Sequence, residues 1–417
     1  MDTHESETNG PSCRFCGAPL EHTFVDLGLS PLCESYVAPE DLNAGETFYP
    51  LHAYVCGQCF LVQLEQYVSA EDIFRDYAYF SSYSDSWLAH AKTYVEMITA
   101  RLRLHQQSLV VELASNDGYL LQYFAEFGIP VLGIEPAENV AKDAVERGVE
   151  TLTEFFTVEL ANQLVRDGIR ADLVIGNNVL AQVPDVNDFV AGVKLLLKPD
   201  GVVTMEFPHL ARLVEENQFD TIYHEHFSYL SFSTACRIFA AHGLSVFDVE
   251  EVPTHGGSLR IYAGHDAAAR AVTDAAQQLL ETERRDGLDD LAYYTSFAER
   301  VEQIRYALLE FLIEKKQAGK RVVGYGAPGK GNTLLNYCGV RSDLLEFTVD
   351  RSPHKQGMFL PGTRIPIYAP EKIDEARPDY ILILPWNIKD EIVQQLAGAA
   401  DWGGRFVAAI PEVRVLD

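Results

Sequence analysis

The sequence is short of basic residues, of long apolar runs and of the glycine series that marks a nicotinamide site. Against 61 Asp and Glu stand only 33 Lys and Arg, a formal net charge of −28. The clustered cations that hold double-stranded nucleic acid are therefore missing. A phosphate-bearing small molecule stays compatible, because it needs only a few local donors. No apolar stretch reaches the roughly 18 residues of a membrane span. The opening Met1-Asp-Thr-His-Glu-Ser-Glu is acidic and polar, unlike a secretory or transit segment. We expect a soluble, cytoplasmic protein that engages neither nucleic acid nor membrane. Cysteine is also sparse: there are seven in 417 residues, five of them before residue 60. That distribution excludes a disulfide framework and asks for a local cause.

The length suits two or three domains. Residues 12–84 are turn-rich and hold the cysteines. Residues 85–265 open with a helical stretch through Trp87, Tyr94, Ile98 and Leu102. Short apolar runs then alternate with amphipathic helices, as at Leu109-Val-Val-Glu-Leu, Pro130-Val-Leu-Gly-Ile-Glu and Ala171-Asp-Leu-Val-Ile-Gly. That alternation predicts an α/β unit with a mostly parallel sheet. Residues 266–417 begin with helices and restart the α/β pattern at Arg321-Val-Val-Gly-Tyr-Gly.

Four motifs carry chemistry. Cys13-x-x-Cys16 and Cys56-x-x-Cys59 each place two thiolates on one tight turn, and two such turns complete a closed, structural S4 zinc site. A redox pair is the alternative. The loop between the pairs is longer than in the usual ribbon. Next, Val110-Val-Glu-Leu-Ala-Ser-Asn-Asp-Gly118 joins a strand to a helix, and Glu135 ends the following strand. An acid there can accept hydrogen bonds from both ribose hydroxyls. This turn has one glycine where a nicotinamide fingerprint needs three, and a methyl donor, with no pyrophosphate to cradle, needs no such series. Third, Tyr223-His-Glu-His226 sets a phenol, two imidazoles and a carboxylate within four positions, a set suited to acid–base chemistry, with a metal site as the competing reading. Last, Gly324-Tyr-Gly-Ala-Pro-Gly-Lys-Gly-Asn332 departs from the Walker order but can offer helix-start amides and Lys330 to a phosphate.

In this order the motifs resemble the TDP-sugar C-3′-methyltransferases, across nearly the whole chain. His255-Gly-Gly-Ser-Leu-Arg, Asp350-Arg-Ser-Pro-His-Lys-Gln-Gly and Leu384-Pro-Trp-Asn add to the likeness. The resemblance implies a zinc domain at 12–84, a Rossmann-like class I methyltransferase domain at 85–265 and a Rossmann-like C-terminal domain behind a helical connector at 266–417. It implies S-adenosylmethionine and zinc as cofactors and a sugar nucleotide as substrate. His226 becomes the general base, with Tyr223 and Glu225 beside the substrate and Tyr77 reaching in from the N-terminal side. Glu112, Ser115, Asp117, Gly118, Glu135, Pro136 and Asn177 form the donor site. His224, Gln182, Lys330, Gly331 and Asn332 contact the substrate. Gln182 stands where the family has His, and an amide cannot take a proton. An O- or N-methyltransferase of the same fold, or a non-catalytic zinc and nucleotide scaffold, is the rival reading.

Overall fold

The computed structural model describes residues 10–74 and 80–416, apart from the side chain of Asp85; Tyr77 lies outside the described residues. The chain forms two compact units, each made of non-consecutive segments. The first comprises Met1–Glu21, Val55–His209 and Phe227–Asp289, and the second His22–Tyr54, Leu210–His226 and Asp290–Asp417. Most of the long loop between the cysteine pairs thus belongs to the other unit, which explains its length. Among the described residues no helix is long and apolar enough to cross a membrane.

The first unit is built on a sheet of seven strands. They are β1 Val110–Leu113, β2 Val131–Ile134, β3 Thr151–Leu152, β4 Ala171–Asn177, β5 Leu197–Pro208, β6 Leu244–Val252 and β7 Ser258–His265. Their order is β3-β2-β1-β4-β5-β7-β6. The first five run parallel, and β7 is antiparallel to both β5 and β6. Buried apolar runs such as Val110-Val111 and Leu173-Val174-Ile175 are what a sheet covered on both faces requires. The order reverses between β1 and β4, and a ligand crevice forms at such a switch point.

Helix α1 (Asp85–Leu102) covers one face, starting where Ser84 Oγ accepts the Trp87 amide. Trp87, Tyr94, Val95 and Ile98 pack with Val110, Leu173, Ile175 and Val202 of the sheet. One ionic network lies within this interface. Glu206, with no side-chain exposure, accepts Arg260 at 2.7 Å and faces His90 at 3.0 Å. It also accepts the Thr254 hydroxyl at 2.8 Å. Burial pushes the Glu206 carboxyl up, but His90 and Arg260 outweigh it and hold it at about 2. Because this pKa is depressed, the network contributes stability in full above the ordinary carboxylate range, and that stability is lost as pH falls towards 2. Glu206→Gln is expected to cost about 3 kcal/mol, because His90 loses its carboxylate and the buried Arg260 keeps only Glu250, at 3.1 Å. Urea unfolding at neutral pH measures this directly.

The second unit has a six-stranded sheet: β8 Val322–Tyr325, β9 Thr348–Val349, β10 Ile367–Tyr368, β11 Tyr380–Ile383, β12 Arg405–Ala408 and β13 Arg414–Leu416. The order is β10-β9-β8-β11-β12-β13, parallel except for β13. Helix α2 (Phe297–Gln317) presents Phe297 to Phe24, ring centroids 4.7 Å apart. Residues 22–54 are further tied in by Val37 to Phe359 and by Glu46 to Gly362 and Arg364. Helix α3 (Gly329–Cys338) follows β8 directly.

Candidate active site and metal centre

Two matching knuckles carry the four thiols. Cys13 accepts the Gly17 amide and returns its own amide to Ala18, while Cys56 accepts Phe60 and donates to Leu61. The chain turns left-handed after the second cysteine of each knuckle, at Gly17 (φ 74°) and Phe60 (φ 61°). The position that needs a positive φ in the second knuckle is therefore Phe60, not the glycine that follows Cys56. The four sulfurs lie within 4.8 Å of one another. Cys13 and Cys59, and likewise Cys16 and Cys56, are 3.5 Å apart. Tetrahedral zinc–thiolate bonds of about 2.3 Å put sulfurs roughly 3.8 Å apart, so the donors fit the ion. Gln63 Nε2 points at Cys13 Sγ (3.2 Å) and the Gln58 amide at Cys56 Sγ (3.4 Å), as outer donors to thiolates do.

The donor-site residues converge at the C-terminal ends of β1, β2 and β4. The turn after β1 is unusually bent, with Ala114, Asn116 and Gly118 all left-handed. Strain of this kind persists only where the surroundings hold it. Glu135 does part of the holding: Oε2 accepts the Asn116 amide and Oε1 the Ala137 amide, each at 2.9 Å. Each oxygen keeps a second lone pair for a ligand. Burial raises Glu135, opposed by those two amides. Burial also pushes Glu112 well above its usual range, against the bond from Tyr119. Tyr119 in turn receives Asn177 Nδ2 at 3.3 Å. Glu112 Oε2 and Asp117 Oδ1 are buried oxygens without a partner, acceptors that a ligand with hydroxyl and ammonium groups satisfies. The Ser115 hydroxyl is likewise buried without a partner, and it stands 2.5 Å from where a Cβ on Gly133 would be.

In the second unit, Tyr223 to His226 is a turn, with the His226 amide donating to Tyr223 O. An extended segment would put His224 and His226 on one face. The turn separates them and sets the Tyr223 ring against His226, centroids 4.2 Å apart and planes tilted by 35°. His226 Nδ1 lies 3.2 Å from Thr221 O. A carbonyl only accepts, so Nδ1 carries the proton and Nε2 the basic lone pair. His224 is buried, donates Nε2 to Pro50 O, and is pulled down by that burial. Glu225 receives the thiol of Cys33 at 3.4 Å.

The glycine-rich loop owes its glycines to packing. A Cβ on Gly324 would meet Thr348 at 2.7 Å, on Gly326 Pro385 at 2.5 Å, on Gly329 Cys33 at 2.7 Å and on Gly331 Leu384 at 3.0 Å. Asn332 is buried and gives Nδ2 to Cys33 O. Gly331 and Asn332 thus face protein, while the Lys330 ammonium turns to Asn387. Gln182 ends a turn begun at Val179 in the first unit.

Profiles of three families match in sequence: a zinc binding domain over residues 13–74, a methyltransferase domain over 87–249 and a C-methyltransferase C-terminal domain over 253–411. The C-methyltransferase NovU of Streptomyces niveus is 39% identical over 97% of this chain and 96% of its own. The chain belongs to the C-methyltransferase family. A ubiquinone biosynthesis O-methyltransferase of Bartonella tribocorum is 24% identical over 22% of this chain and 38% of its own. Magnesium protoporphyrin IX methyltransferase of Synechocystis PCC 6803, solved with bound SAM, is 18% identical over 43% of this chain and 81% of its own, with a TM-score of 0.32. The C-methyltransferase described here uses S-adenosylmethionine and carries a zinc site of four cysteines.

Sequence reasoning missed two features of this C-methyltransferase. One is the His90–Glu206–Arg260 network. The other joins Asn178 Nδ2 to His255 Nε2 at 3.1 Å, two residues that both hold a positive φ. Paired left-handed non-glycine residues leave no composition signal. Only the Gly256-Gly257 dipeptide hinted at an unusual turn there.

Proposed function

We propose that the enzyme methylates the carbon beside the ketone of a nucleotide-linked keto-deoxysugar, at C-3′ of a TDP-4-keto-6-deoxyhexose. The observation that carries this reading is the imidazole of His226, held as the tautomer whose basic nitrogen is Nε2. A ketone acidifies the neighbouring C–H by spreading the resulting charge onto oxygen. His226 Nε2 takes that proton, the C–H electrons become the enolate, and the neighbouring Tyr223 phenol can donate to the enolate oxygen. S-adenosylmethionine, when bound, supplies an electrophilic methyl group. Glu112, Asp117, Gly118, Glu135, Pro136 and Asn177 of the first unit hold it, and Lys330 of the second unit binds substrate phosphate. Tyr77, Glu225 and Gln182 orient the sugar.

Carbon-13 NMR of the product made with methyl-labelled donor tests the reaction. A label on a sugar carbon supports it, and a label on oxygen or nitrogen overturns it. Glu135→Ala is expected to weaken S-adenosylmethionine about tenfold, the value of a charge-assisted hydrogen bond. Calorimetry should find nucleotide affinity little changed, and equal losses for both ligands would refute the donor-site assignment.

A further inference from the structure

The segment Leu384-Pro-Trp-Asn387 has no part in the chemistry above, yet it is fitted closely to the glycine-rich loop. Leu384 and Pro385 occupy the places where side chains on Gly331 and Gly326 would go. The next two residues meet the loop's one cation. Asn387 Oδ1 accepts from Lys330 Nζ at 2.8 Å, and the ammonium stands 4.4 Å from the centroid of the Trp386 ring. Trp386 is fixed from its other end, where its indole N–H donates to Asp220 Oδ2 at 2.7 Å. Asp220 is fully buried, and its Oδ1 has no hydrogen-bond partner. All four residues belong to the second unit.

Each contact adds one constraint on the ammonium. The amide oxygen takes one of its three N–H donors and leaves two. The indole face adds attraction without using a donor. Asp220 behind the indole, its carboxyl pushed up to about 7 by burial, favours the charged lysine when ionised, against the burial that pulls the lysine down. Lysine is otherwise a flexible point charge that loses rotamer freedom on binding an anion, and prior fixing removes that cost.

We propose that Asn387, Trp386 and Asp220 form a holder that pre-positions Lys330 for the diphosphate of the substrate. They are positioning residues, and Leu384–Asn387 is the element that sets affinity for the anionic part of a nucleoside diphosphate sugar. This rests on the reading of Lys330 as the phosphate-binding group.

The test uses full-length enzyme, thymidine diphosphate as the calorimetric probe, and steady-state kinetics. Asn387 is exposed, so Asn387→Ala should fold normally. It is expected to weaken thymidine diphosphate about tenfold, the value of a hydrogen bond to a charged group. KM for the sugar nucleotide should rise in step while kcat stays within about twofold. Trp386→Phe, which keeps an aromatic ring and loses the N–H, should show the same split to a smaller degree. In a Lys330→Met background, Asn387→Ala should cost nothing more. If Lys330→Met binds the probe like the parent, the phosphate reading fails and takes the holder with it. If Lys330→Met is weakened but Asn387→Ala and Trp386→Phe are not, the holder alone is wrong. The holder is equally wrong if Asn387→Ala costs as much without the lysine as with it.

Discussion

Replacing His226 by Asn is expected to slow methyl transfer about 10²-fold or more, with S-adenosylmethionine still bound at its parent affinity. The choice of Asn follows from the geometry. Its amide can still donate towards Thr221 O, where His226 Nδ1 now points, but it offers no nitrogen able to take a proton. His224→Asn should lose far less rate. That imidazole is buried against Pro50 O and Tyr49, so its loss should appear as reduced stability. Proton abstraction can be read without methyl transfer. In heavy water and without S-adenosylmethionine, the parent should exchange the sugar hydrogen at the carbon to be methylated. A His226→Asn enzyme that exchanges it at the parent rate would remove His226 as the base and leave Glu225 and Tyr223 as candidates.

The second large effect is expected at the zinc site. Protein purified without added metal should contain about one zinc per chain. A Cys56→Ser, Cys59→Ser double variant should contain none and melt at least about 10 °C lower. The scale follows from apparent zinc affinities of roughly 10–16 kcal/mol in small zinc folds and a shift of about 2–4 °C per kcal/mol in domains of this size. Thr234 and Arg237 both reach the Cys59 carbonyl, which carries local unfolding into the helix Phe232–Ala241. Metal-free parent protein with an unchanged melting temperature would overturn this.

Local pattern carried much of this fold. The apolar runs at Val110, Val131 and Ala171 are strands, the helix from Asp85 ends at Leu102, and the paired cysteines meet. What pattern could not carry is anything set by distant packing. His90 and Glu206 are 116 positions apart, and no spacing rule links them. The glycines after β8 look like a ligand cradle, yet each is small because a side chain from another segment fills its place. The turn at Tyr223 was hidden because two histidines at alternate positions read equally well as a strand. Phe60 takes the left-handed position of the second knuckle against its intrinsic preference, so no glycine marks that turn.

The chain passes between the two units five times, after Glu21, Tyr54, His209, His226 and Asp289. On the ribosome, the first unit therefore lacks its last segment until Asp289 has emerged, and the second waits for the C-terminus. A stop codon near residue 318 would strip the second unit of its sheet, leaving Asp220 without Trp386 and Cys33 without Asn332. Transplanting the second unit between relatives consequently requires three exchanges at once. A single crossover would pair Phe24 with a foreign Phe297, Trp386 with a foreign Asp220, and Asn332 with a foreign Cys33. Recombination should respect this layout, so viable chimaeras will keep residues 22–54 and 210–226 from the same parent as residues 290–417.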